Sequence, residues 1–266
     1  MATITRRSWR ASSRNWQIEL QGKMEFEIFS NLTQTDVSPE EALQQILARI
    51  KAVLNNKQEL GQRLYDTASC LIEVAERTAA PERLNKLATF VKLLREITWT
   101  GENGEPLRHD DYLLFTDLPV FGYTLADELQ SFSPDKSDGN TEDEQAWENL
   151  VTFCAQFSTP NKMFDLTDVY TCWDLRLAFD PEGPANECTV RSACLWFIYA
   201  ADTLWAHVLD PKVEDGERPW FSRENWKWWK KWLKDFKSQF GAKESRRTRD
   251  LIDEALVQMK RVEKKS

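Results

Sequence analysis

Histidine is almost missing from this 266-residue chain, which has two, His109 and His207. Neither stands in a metal-ligand spacing, and His109-Asp110-Asp111 reads as a loop. There is no H-E-x-x-H, no Walker A loop, no G-x-S-x-G elbow and no G-x-G-x-x-G fingerprint. The residues therefore point to no metal and no cofactor. Nine Gly and ten Pro exclude a collagen-like or low-complexity chain. The longest apolar run, Ala193 to Ala201, is nine residues. A membrane span needs about twenty, so no transmembrane helix is expected. The five cysteines are odd in number and lack a C-x-x-C. That pattern predicts reduced, mostly buried thiols in a cytoplasmic protein.

Basic charge is also scarce, except at the two ends. The formal net charge is −8, which weighs against nucleic-acid binding. Residues 221–266 carry net +7 and residues 1–220 net −15. The simplest reading docks the basic tail on its own acidic body; an anionic partner is the alternative. Residues 1–18 hold Arg6, Arg7, Arg10 and Arg14 and no acid. This resembles a mitochondrial presequence in composition but lacks an apolar helical face. We read residues 1–37 as a basic, disordered extension, with mitochondrial import as the alternative.

Helix signals dominate what remains. Ser38-Pro39-Glu40-Glu41 is a capping box with Pro at the first helical position. It launches an i, i+3, i+4 stripe of Leu43, Ile46, Leu47, Ile50 and Leu54. Similar stripes follow over Leu60–Ala75 and Leu84–Ile97, then over about 142–157 and 166–178. Residues 188–207 read as one long helix, apolar almost all round and hence central. Helices over 222–240 and 244–262 close the chain. No strand pattern is visible. The expected fold is all-α, a single domain over 38–262 of about eight helices, with an acidic mobile loop near 131–144.

The segment 222–240 sorts its residues sharply. Trp226, Trp228, Trp229, Trp232, Leu233, Phe236 and Phe240 fall within an arc of about 160° at 100° per residue. Lys227, Lys230, Lys231, Lys234 and Lys237 occupy an arc of about 120° on the other side. The first reading is a surface helix that buries its aromatic face. An interfacial membrane helix is the second. A nucleic-acid surface would want both residue types on one face.

The pair of helices over 166–207 carries polar groups among apolar ones, including Asp174, Arg176, Arg191, Tyr199, Asp202 and His207. They read first as a satisfied polar network. The alternative is a ligand pocket, whose candidate lining is Trp173, Arg176, Trp196 and Tyr199.

Several motifs, in order, carry a family resemblance. They are Trp147-Glu148-Asn149-Leu150, then Trp173-Asp174-Leu175-Arg176-Leu177-Ala178-Phe179-Asp180. Ala193-Cys194-Leu195-Trp196-Phe197-Ile198-Tyr199-Ala200-Ala201-Asp202-Thr203-Leu204-Trp205 comes next, followed by Phe221-Ser222-Arg223-Glu224-Asn225-Trp226-Lys227-Trp228-Trp229-Lys230. Asp117-Leu118-Pro119 matches a D-L-P step. Over about residues 40–262 the chain is similar to the fungal family DUF3632. It departs at Ala201, where the family pattern has Gly. The resemblance implies a helical fold and a fungal source; it implies no reaction and no catalytic residues.

These readings lead to a soluble binding or interaction protein whose partner is another protein or a small hydrophobic molecule. One alternative is a cofactor-free enzyme acting on a hydrophobic secondary metabolite in an aromatic pocket. Another is a peripheral membrane protein using the Trp-rich helix.

Overall fold

A computed structural model describes residues 18–132, 141–158, 166–180, 186–210, 220–239 and 245–265. The readings of residues 1–17 and of the middle of the acidic loop lie outside that set. Within it the protein is all-α, as expected, with one tiny hairpin.

The first helices are set by local chemistry. α1 spans Met24–Gln34, α2 Pro39–Lys51 and α3 Lys57–Arg77. At Ser38 the capping box forms in full: Glu41 N donates to Ser38 Oγ (3.2 Å) and Ser38 N donates to Glu41 Oε2 (2.8 Å). Asn56 caps α3 by accepting from the amides of Gln58 and Glu59. α4 follows over Pro81–Glu96 and α5 over Pro119–Ser131. Between them Arg108–His109 (β1) pairs antiparallel with Tyr112–Leu113 (β2). This ladder is too short to leave an alternating pattern in the sequence.

α6 covers Thr141–Phe157, α7 Leu166–Ala178, α8 Glu187–Tyr199, α9 Ala201–Val208, α10 Arg223–Gln239 and α11 Arg246–Glu263. The expected long helix over 188–207 is interrupted at Ala200 (φ −120°, ψ 18°), which separates α8 from α9. Neither Pro nor Gly marks that break in the sequence. The chain divides into two compact units, and the division falls between Phe153 and Cys154 inside α6.

In the first unit α3 packs against α1, α2, α4 and α5. The expectation of a disordered extension over 1–37 gives way to a helix at Met24–Gln34, where α1 buries Ile28, Phe29 and Leu32. It also buries Glu25, which the sequence alone would leave in solvent. Glu25 Oε1 accepts from Arg49 Nε of α2 at 2.7 Å and from Arg63 Nη1 of α3 at 2.6 Å. Burial raises the carboxyl pKa, but the bonds from the two guanidiniums outweigh it and the net displacement is downward. One carboxylate thus ties three helices together.

In the second unit α8 packs against α7, α9 and α11, and α11 also packs against α9 and α10. Its interior is aromatic. Phe197 lies edge-on to Trp226 at 5.6 Å between ring centroids and tilted to Trp229 at 5.8 Å. Phe179 stacks on Phe236 at 6.2 Å. The Trp-rich helix therefore buries Trp226, Trp229, Leu233 and Phe236, as the first reading of its amphipathic pattern requires. All five cysteines are free thiols, and four of them are buried.

Glu25→Ala is expected to cost about 2–3 kcal/mol, because it removes the charge-assisted bonds from two partly exposed guanidiniums. Urea unfolding measures this; a loss below about 1 kcal/mol, typical of an exposed pair, would contradict the role assigned to Glu25.

Candidate functional site

The four residues singled out by the sequence fall into different environments. Trp196 has no exposed surface, so no water-sized space opens against it. Its indole Nε1 donates to Asp174 Oδ2 at 2.7 Å. Trp173, adjacent to Asp174 on α7, is 55% exposed. Arg176 is exposed and lays its guanidinium over the Trp220 ring at 5.2 Å. Tyr199 is half-buried near the end of α8. The bond between Asp174 and Trp196 is a feature that their spacing did not announce.

Asp174 is buried, and desolvation pushes its carboxyl up to about 7 despite the opposing indole bond. Cys154 is also sealed in, and burial, with Asp174 adding to it, pushes its thiol well above the ordinary range. Both groups lack access to substrate, and a raised thiol pKa disfavours the nucleophilic thiolate. His207 is buried too, its ring tilted against Phe221 at 5.1 Å. Among the described residues no group of His, Cys, Asp and Glu is placed to hold a metal ion.

The first unit contains two openings of opposite character. One is apolar, lined by residues including Leu71, Phe90, Val91, Phe115, Leu118 and Phe121. Leu118 there has φ 44°, a left-handed conformation that costs a branched residue about 1–3 kcal/mol. The cavity is only about 30 Å³, room for a water or two and far below the roughly 300 Å³ of a ligand pocket.

The other opening is a cleft of about 560 Å³ between the last turns of α3 and the first turns of α6. α3 supplies Glu73, Glu76 and Arg77, and α6 supplies Thr141, Glu142, Gln145 and Asn149. Glu73 and Glu76 are each only 5% exposed, and Asn149 4%. Arg77 Nε donates to Glu73 Oε1 at 2.6 Å, one turn away. Asn149 Nδ2 donates to the Glu76 carbonyl at 2.7 Å, and Gln145 Nε2 donates to Asn149 Oδ1 at 2.7 Å. The Asn149–Glu76 bond ties the two walls together, and Gln145 orients Asn149 for it. The described lining has three carboxylates, Glu73, Glu76 and Glu142, and one guanidinium, Arg77. Arg77 is further held by the Phe26 ring beneath it at 5.6 Å.

The family model described as "Protein of unknown function (DUF3632)" matches residues 69–233. The chain belongs to the DUF3632 family. The matched span takes in the whole lining of the cleft and the Asp174–Trp196 pair, while Glu25, Arg49 and Arg63 lie before it. No curated protein and no solved structure matches the chain. Within this DUF3632 chain the Trp-Glu-Asn-Leu motif at 147–150 takes on a concrete role, since its Asn149 bridges the two walls of the cleft.

Asp174 makes the second unit sensitive to pH. The folded carboxyl keeps its proton up to about 7, whereas an unfolded aspartate releases it near 3.9. The folded state therefore binds the extra proton across that window, and stability falls as the pH rises through it. The full difference is about 4 kcal/mol and levels off once the folded group ionises. Asp174→Asn still offers an oxygen to Trp196, so it is expected to flatten this slope and to be more stable than wild type at about pH 8. Thermal unfolding from about pH 5 to about pH 8 checks this; an unchanged slope contradicts it.

Proposed function

We propose that this DUF3632 chain is a binding protein whose ligand presents a positively charged group, an amine or a guanidinium, to the α3–α6 cleft. The supporting observation is the cleft itself. Its volume of about 560 Å³ lies within the roughly 300–1,000 Å³ of ligand pockets, and its walls carry three glutamates, Glu73, Glu76 and Glu142. Glu73 and Glu76 share the cleft wall with Glu142, so a cationic ligand would meet carboxylates there in addition to the contacts those groups already make.

A hydrophobic small molecule is the weaker reading, because the apolar cavity has too little room. A cofactor-free enzyme is weaker too. The two most displaced titratable groups described above, Asp174 and Cys154, are enclosed by core side chains rather than facing the cleft. The free thiols fit a reducing compartment, and a cytoplasmic location goes with this reading.

Isothermal titration with spermidine and with an arginine-containing peptide tests the proposal. Wild type is expected to bind at least one of them in a salt-dependent way. Glu142 is exposed, so Glu142→Gln folds normally; it is expected to weaken binding about tenfold, and Glu76→Gln by at least as much. No binding of either probe, or binding indifferent to Glu142→Gln, would contradict the proposal.

A further inference from the structure

The surface of α10 offers a second, independent feature in the other unit. Lys227, Lys231 and Lys234 lie at i, i+4 and i+7, all exposed, and form no ion pair among the described residues. They span about 10 Å of helix at 1.5 Å per residue. Two other lysines of the same helix behave differently. Lys230 pairs with Glu263 of α11, and Lys237 reaches Asp253 at 2.5 Å. The helix thus spends two cations on holding α11 and leaves three in water.

Beside this lysine stripe run Trp228 and Trp232, both half-buried, with ring centroids 5.7 Å apart. Trp228 also touches Phe179 at 6.1 Å, and Trp232 touches Phe236 at 5.2 Å. Trp226 and Trp229 are fully buried, whereas Trp228 and Trp232 keep part of their indoles at the surface. An indole half in an apolar layer and half in a polar one is at its most favourable position at a lipid headgroup boundary. Exposed lysines next to it match anionic headgroups in sign.

We propose that this face of α10 docks on an anionic membrane surface, with Lys227, Lys231 and Lys234 at the headgroups and the edges of Trp228 and Trp232 entering the interface. The contact is peripheral, since no described helix is long and apolar enough to cross a bilayer. Lipid is favoured over nucleic acid for two reasons. Both indoles are already held by neighbouring rings, whereas base stacking needs open ring faces. The chain as a whole is acidic, and a phosphate backbone tracked over many residues would meet that charge, while a flat bilayer meets one helix face. The exposed acids of α10, Glu224 and Asp235, moderate the attraction and make it reversible by salt.

Flotation of the full chain with vesicles of phosphatidylcholine, with and without phosphatidylserine, tests this. Binding is expected only with phosphatidylserine, with a blue shift of tryptophan emission and release at high salt. The triple variant Lys227→Gln, Lys231→Gln, Lys234→Gln touches exposed residues only and is expected to weaken binding about a hundredfold. The corresponding triple Lys→Arg variant keeps the charge and is expected to retain it. The proposal is overturned by equal binding to both vesicles, by no binding to either, or by a glutamine variant that binds like wild type. It is also overturned if the three lysines govern binding to a single-stranded oligonucleotide and not to vesicles.

Discussion

A carboxylate inside a helical protein has to have its charge met, and this chain meets that constraint differently in each place where it arises. Glu25 is surrounded by two guanidiniums, from Arg49 and Arg63. Asp174 has no cation among its bonds; it accepts from the Trp196 indole and tends to hold a proton. Glu73 is paired with Arg77 on its own helix, at the wall of a cleft open to ligand-sized groups. The first case stabilises ionisation, the second opposes it, and the third keeps negative charge beside free volume. The same side-chain chemistry therefore yields a structural clamp, a pH-dependent element and a binding surface.

Helix ends account for part of the charge around the cleft. The first turn of α6 carries Glu142, Asp143 and Glu144, which favour the positive end of the helix dipole. The last turn of α3 carries Arg77, which favours the negative end. Of the cleft carboxylates only Glu142 is favoured by its helix end; Glu73 and Glu76 lie near the C-terminal end of α3, where the dipole opposes negative charge and Arg77 offsets it.

Much of the fold was legible from local pattern. The capping box at Ser38, where Glu41 N donates to Ser38 Oγ, is a contact within one turn. The bounds of α7 were readable because its apolar spacing is regular. The burial of Glu25 in α1 was unreadable because its partners Arg49 and Arg63 are 24 and 38 residues away. The cleft was missed for the same reason: Asn149 and Glu76 meet across 73 residues. A signal was nevertheless present. Glu73 and Arg77 are spaced i, i+4 on a helix that already had a full apolar face, and Asn149 stood inside a family motif. Among the candidate site residues, the direction of each side chain was unreadable. Neighbouring helical positions point about 100° apart, so Trp173 faces solvent while Asp174 faces Trp196.

The claim on which the functional account rests is that the α3–α6 cleft concentrates negative charge for a positively charged ligand. The most direct measurement is carbon-13 NMR of the glutamate side-chain carboxyls during a spermidine titration. The account predicts that the Glu73, Glu76 and Glu142 signals shift together and saturate, while exposed carboxyls away from the cleft, such as Glu40 and Glu254, stay in place. A uniform drift of all exposed carboxyls, or still signals at the three cleft glutamates, would contradict it.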